Sequence, residues 1–360
     1  LAECLVNAIE VSPHDKSTVY IATTRYKWND LAPGLYKSTD QGKTWTSINN
    51  GIPNGAYTRV VREDPVRKDL LFAGTEIGLY VSYDGGAHWS RQQMGLPITP
   101  VTDLKIHQGD LIAATMGRSY WVFDDMGLLR QLPASLSSSL ELYKPEDAYR
   151  VSGSSMLDGS RSEEDDDENF IVQSQAGVNP SSGIVFYYQL PERPDSNSVM
   201  TLSIYKESGQ LVRTYSSKSD ASFMKFPGGP QEDPSLPVKK GLNRFVWDMR
   251  YPTLPGVPTV FIEGSYRGHK VAPGLFKAVL KLNSTEKQTG FQVLPDPRLH
   301  YSPEEYGRQD AFLTSVEDDF KAIHLSVLRM RKIRKQLEDR LPLLKERDDW
   351  KPLQDQTQEL

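Results

Sequence analysis

Eight side chains in the first third of the chain are of the types that hold a polar or sugar-like ligand. Arg25, Tyr26, Lys27 and Trp28 are consecutive, and Tyr57, Arg59, Glu76 and Arg118 follow at wider spacing. Guanidinium forks grip carboxylates, and aromatic faces stack on flat rings. A peptide, a protein or a glycan fits such a set. A structural role competes with binding: Arg118 and Glu76 suit pairing with each other, or with backbone, to hold loops. Catalysis asks for more. Hydrolysis of a glycosidic bond needs two carboxylates at a set separation, one of them kept protonated. Glu76 is the single carboxylate readily placed among these residues, with Asp103 or Asp30 behind it. The residues therefore favour a binding surface over an enzyme, and if there is catalysis, a glycoside hydrolase.

Other chemistry has no residues to carry it. No Gly-rich phosphate loop, Cys/His metal spacing or G-x-S-x-G is present, so neither metal nor cofactor is expected. The histidines His14, His88, His107, His269, His300 and His324 are scattered, and each reads as a surface or packing residue. His269, within Gly268-His269-Lys270, is expected in an exposed turn. The acidic run Glu163 to Glu168 lacks the alternating ligands and the glycine of a calcium loop, and reads as solvated.

The elements that position these residues announce themselves by repetition. Ser38-Thr39-Asp40-Gln41-Gly42-Lys43-Thr44-Trp45 and Ser82-Tyr83-Asp84-Gly85-Gly86-Ala87-His88-Trp89 both spell S-x-D-x-G-x-x-W. They lie about 44 residues apart, the length of a propeller blade. Gly34 to Ser38 aligns with Gly78 to Ser82, and Val19 to Thr24 with Leu70 to Thr75. A third copy, Leu111 to Thr115 followed by Ser119 to Phe123, has lost most of the motif. In each box (Ser38, Asp40, Gly42, Trp45; Ser82, Asp84, Gly86, Trp89) the Asp should accept backbone N–H groups. The Gly should take positive φ, and the Trp should anchor the hairpin. Asp40 and Asp84 are thus hairpin staples rather than catalysts. Because the box joins third and fourth strands, it belongs on one face of a propeller. The second-to-third-strand loops and the blade connections, with the eight candidate residues, belong on the other.

The expected fold is mainly β: the last blades of an Asp-box β-propeller, then an immunoglobulin-like β-sandwich, then a C-terminal α-helical segment. The corresponding divisions are 1–132 for the partial propeller, 133–182 for a linker and acidic loop, 183–298 for the sandwich and 299–360 for the helix. Strands are expected at Ile184 to Gln189, Ser198 to Lys206, Leu211 to Tyr215, Gly241 to Asp248 and Gly274 to Leu282. Pro252 to Pro258 reads as an extended connector. Ser302-Pro303-Glu304-Glu305 is a helix start. Phe312, Val316, Phe320, Ile323, Val327, Met330 and Ile333 then recur at helical spacing, as the face that packs on a domain or a partner helix. A net charge of -5 argues against nucleic acid. No apolar run is long enough for a membrane span, and Cys4 is the only cysteine. Leu1 is no initiator Met and follows no basic n-region with an apolar h-region, so the chain reads as a fragment of a longer protein whose remaining blades complete the ring.

These residues resemble a known family. Tyr20 to Trp45, Val60-Val61-Arg62-Glu63-Asp64-Pro65, Leu71 to Glu76 and Ala114-Thr115-Met116-Gly117-Arg118-Ser119-Tyr120-Trp121 are similar to the final blades of the sortilin-like, BNR-repeat propeller of large exported bacterial proteins. Asn243 to Asp248 and Pro273 to Phe276 resemble the sandwich that follows it. Many members are labelled glycosyl hydrolases by similarity. The resemblance implies an exported protein, periplasmic, cell-surface or extracellular. Sialidases and xyloglucanases share the Asp box, and a sialidase-like site would draw on Arg25, Arg59, Arg118 and Tyr57. Members often carry His before the Gly-Arg pair, where this chain has Met116.

Overall fold

The computed structural model describes residues 3–92, 94–133, 138–151 and 180–340. The acidic run and residues 341–360 lie outside them. The chain divides into two compact units, Leu1–Ser138 and Ser139–Leu360.

The first unit is three antiparallel meanders. β1 (Leu5–Val11), β2 (Val19–Arg25), β3 (Asp30–Ser38) and β4 (Thr46–Ser47) make one sheet. β5 (Thr58–Glu63), β6 (Leu71–Thr75), β7 (Gly78–Ser82) and β8 (Ser90–Arg91) make the next. β9 (Val101–His107), β10 (Asp110–Thr115) and β11 (Tyr120–Phe123) make the third, and helix α1 (Met126–Gln131) follows in place of a fourth strand. The first strands β1, β5 and β9 lie side by side, as consecutive propeller blades require.

The middle sheet is buried on both faces. Leu71, Ala73 and Tyr80 pack with Tyr20, Ala22 and Leu35 of the first sheet. Phe72, Leu79 and Val81 pack with Leu104 and Leu111 of the third. Every residue of β6 and β7 is buried, which is why Leu70 to Ala73 reads as a continuous apolar run rather than an alternating one. The outer sheets keep one open face: Ile9 is 64% exposed and Tyr120 78%.

The two S-x-D-x-G-x-x-W turns have one geometry. Ser38 Oγ donates to Asp40 at 2.8 Å and accepts from Gly42 N, and Asp40 accepts Thr44 N at 2.9 Å. Ser82, Asp84, Gly86 and His88 repeat these bonds at 2.8 to 2.9 Å. Gly42 and Gly86 sit at φ 86 and 94. Trp89 donates to Ile48 O at 2.7 Å, so its ring ties the second blade to the first.

In the second unit, β12 (Glu141–Leu142), β14 (Ile184–Leu190) and β17 (Gly241–Trp247) form one sheet. β13 (Ala148–Arg150), β15 (Met200–Lys206), β16 (Leu211–Ser216), β18 (Gly274–Leu282) and β19 (Thr285–Pro295) form another, in the order β13-β19-β18-β15-β16. Both sheets bury one core around Trp247, Phe186, Phe276 and Phe291. The five expected strands are present. β19 is an addition, because its Thr285 to Gly290 stretch is too polar to signal a strand. The stretch read as linker also contributes strands: Glu141–Leu142 pairs with β14, and Ala148–Arg150 runs parallel to β19. Within Pro252 to Pro258, Leu254 and Val257 are buried and Leu254 N bonds Tyr266 O, so the segment is packed rather than spanning.

Helix α2 (Pro303–Arg340) begins with a capping box: Ser302 Oγ accepts Glu305 N, and Glu305 accepts Ser302 N at 2.8 Å. Its docked face corrects the sequence reading. Phe312, Val316, Ile323, Met330 and Ile333 are exposed, while Tyr306, Glu317 and His324 are buried. The reason is electrostatic. His269, read as an exposed turn, is instead only 9% exposed. It is held between Glu317 (Nδ1, 2.8 Å) and Asp310 (Nε2, 3.2 Å) of the helix. Lys206 reaches Asp310 at 2.9 Å, and Tyr251 donates to it at 3.2 Å. Phe320 does pack, stacking on His324 at 3.9 Å.

Candidate functional site

Each first strand of the first unit carries a β-bulge at its leading end. Pairing slips between Val6 and Ala8, between Thr58 and Val60, and opposite Ala114/Thr115, between Val101 and Asp103. The extra residues are Asn7, Arg59 and Thr102. A bulge re-aims its side chain out of the strand's alternation. Here all three line one groove of about 290 Å3, with Arg62 and Asp103 on its wall.

Arg59 is the hub. Its Nε and Nη2 donate to Glu76 Oε2 at 3.1 and 2.8 Å, and Nη2 also donates to Tyr57 Oη at 3.2 Å. Its guanidinium lies 5.0 Å from the Tyr57 ring and 5.7 Å from that of Tyr26. The two tyrosines stack at 5.5 Å and 16°. Burial, followed by the neighbouring Glu76 carboxylate, pushes the Tyr57 hydroxyl above its usual pKa. Burial lowers Arg59, but the bonds and charge of Glu76 and Tyr57 together outweigh it and the net shift is upward. Backbone fixes the hub as well, for Glu76 N donates to Tyr57 O.

Four of the residues singled out in the sequence, Tyr26, Tyr57, Arg59 and Glu76, are therefore in contact. Tyr26 sits on a single 3-10 turn, Tyr26–Trp28, between β2 and β3. Glu76 lies between β6 and β7, and Tyr57 just before β5. The remaining residues stand apart from this cluster. Arg25 faces Asp30 at 3.6 Å. Lys27 and Trp28 are exposed on the same turn. Arg118, between β10 and β11, is exposed, and its side chain contacts neither Glu76 nor any other partner among the described residues. Glu76 takes Arg59 instead, which corrects the expected pairing.

Sequence reasoning missed Arg62 and Glu10. Arg62 donates to Asp103 at 2.9 Å and to Leu104 O at 2.9 Å, and it lies 3.6 Å from Glu10. Burial raises the pKa of the Glu10 carboxyl against the pull of Arg62. Both residues were hidden because a charged residue on a first strand looks like ordinary alternation until neighbouring first strands are known to adjoin.

Every carboxylate proposed from sequence thus faces an arginine: Asp30 faces Arg25, Glu76 faces Arg59, and Asp103 faces Arg62, which Glu10 shares. Among the described residues no His/Cys/Asp/Glu group suits a metal ion. No helix among them is long and apolar enough to cross a membrane.

No family model matches the chain. Over 79 residues it is 35% identical to a probable oligoxyloglucan-reducing end-specific xyloglucanase of Neosartorya fischeri. The match covers 19% of this chain and 10% of that protein, so the chain spans about a tenth of that relative's length. Among solved structures, a Niastella koreensis GH74 enzyme matches at 19% identity and TM-score 0.28, over 40% of this chain and 24% of that one. YCF48 bound to D1 peptide matches at 17% and TM-score 0.26, over 33% and 37%.

Proposed function

We propose that the first unit is the closing part of an Asp-box, sortilin-like propeller in an exported protein. It binds a peptide, protein or glycan without catalysis on the surface that carries Tyr26, Tyr57, Arg59 and Glu76. Remaining blades complete the ring, the second unit is an immunoglobulin-like sandwich with its helix, and the divisions at 132, 182 and 298 separate the parts. The observation that carries the reading is the grip of Arg59 on Glu76 at 2.8 Å, beside the stacked tyrosines. A carboxylate gripped by a guanidinium orients and recognises, whereas a glycosidase acid needs an environment that keeps its proton. The stacked tyrosines leave a flat, half-exposed aromatic surface beside that ion pair. Immobilised protein should retain ligand from a panel of glycans and peptides, and Arg59→Ala should weaken retention about tenfold. Release of cleaved glycan, stopped by Glu76→Gln, would refute the reading.

A glycoside hydrolase is the alternative, and one observation favours it. Glu10 and Asp103 share Arg62, and burial raises the pKa of Glu10. Such a pair has the residue types of an acid and its partner. Glu10→Gln would then remove turnover, whereas Glu76→Gln would spare it.

A further inference from the structure

The second unit contains a cleft of about 830 Å3 walled by residues 227–234, 259–262 and 264–268. Its charges are unevenly matched. Glu232 meets Lys225 at 3.1 Å. Asp233 is taken by Arg213 and by Thr253 Oγ1. Asp248 lies 3.7 Å from that same Arg213, and it is the carboxylate that Arg250 at 3.8 Å and Arg267 at 3.6 Å share. All three lie beyond hydrogen-bond distance. More positive charge stands behind the wall. Lys270 donates only to a neutral carbonyl, Val151 O at 2.9 Å, and Arg150 Nε is buried without a partner. Burial and the repulsion of Arg267 and Arg150 lower Arg250, and burial with Arg250 and Arg150 lowers Lys270.

One carboxylate between the forks of Arg250 and Arg267, beyond hydrogen-bond distance of both, leaves room for a second anion. Arg250 uses Nη1 on Gly268 O, and Arg267 is two-thirds exposed, so both have donors to spare. Across the cleft Phe261 is 88% exposed, a bare aromatic ring on a loop. Such a ring has no packing role and offers a flat face to a sugar. The wall segments are loops, with no strand edge along which a peptide would extend.

We propose that this cleft binds an acidic oligosaccharide, with a uronate carboxylate held by Arg250 and Arg267 and a pyranose ring stacked on Phe261. The site lies in the second unit and is independent of the surface around Arg59.

Calorimetric titration of the whole chain tests it with three probes: hexagalacturonate, the neutral cellohexaose and hexaglutamate. The site predicts saturable binding of hexagalacturonate alone, weakening as salt rises. Arg267→Gln should weaken it about tenfold, the loss of one charge-assisted contact. Phe261→Ala should weaken it a few-fold by removing the stacking face. Both side chains are exposed, so both variants should keep the parent melting temperature. Absence of hexagalacturonate binding, equal binding of cellohexaose, or hexaglutamate binding untouched by Phe261→Ala would overturn the proposal.

Discussion

Arg59 owes its position to being one residue too many. Without the bulge it would alternate with Thr58 and Val60, and its side chain would leave the strand in another direction. Its removal should weaken ligand retention on the first unit by about tenfold, a typical loss for a charge-assisted contact. Tyr57→Phe, which deletes one acceptor but keeps the ring, should cost much less, and titration of both variants against one retained ligand checks the order. The motif aspartates make a different prediction. Bonds from Thr44 and Ser38 hold Asp40 at a pKa of about 2, below its ordinary 3.8. A depressed carboxylate contributes stability above the unfolded value and loses it as pH falls to the folded one. Melting temperature should therefore drop between about pH 4 and about pH 2. Asp40→Asn should lower it at neutral pH and flatten that slope. Residue types were legible here: Tyr26, Tyr57 and Glu76 lie outside the strands, as the repeat placed them, whereas Arg59, read on a blade connection, is the bulge residue of β5. Their pairing was not, because a bulge leaves no mark in composition.

At the scale of elements, α2 and α1 show how polar groups decide where a helix sits. The apolar stripe of α2 was plain in the sequence, yet the docked face is the neighbouring one, with Tyr306, Asp310, Glu317 and His324. Apolar periodicity finds a helix and cannot see a histidine 41 residues away, at the distance that separates His269 from Asp310. Phe312→Ala, at 68% exposure, should change stability by no more than about 0.5 kcal/mol. Tyr306→Ala, at 5% exposure, should cost about 3 kcal/mol. Chemical denaturation of the two variants separates them. Helix α1 is fixed by a buried ion pair. Asp64 is fully buried and takes Arg130 at 2.8 to 3.2 Å, while Arg67 donates to the carbonyls of Leu129, Arg130 and Leu132. Asp64→Ala strands that arginine and should cost about 3 kcal/mol or more, read as a lower denaturation midpoint.

At the scale of the molecule, two units present two kinds of surface. The first places a groove where the leading ends of three first strands meet, lined by Arg59, which holds Glu76, and by Arg62, which Glu10 and Asp103 share. The second places two guanidiniums that share one carboxylate in the same cleft as a bare aromatic ring. The blade repeat was readable because each blade solves the same packing problem with the same letters. The cleft was not, since Arg213, Asp233, Asp248, Phe261 and Arg267 come from separate segments whose meeting depends on how the loops fold. The account's central claim is that the surface around Arg59 recognises without cleaving. The direct test is product analysis of glycans retained by the protein and then eluted. They should be recovered intact, and Arg59→Ala should retain about a tenth as much. Shortened glycans from the parent protein, absent when Glu10 or Glu76 is changed to Gln, would contradict it.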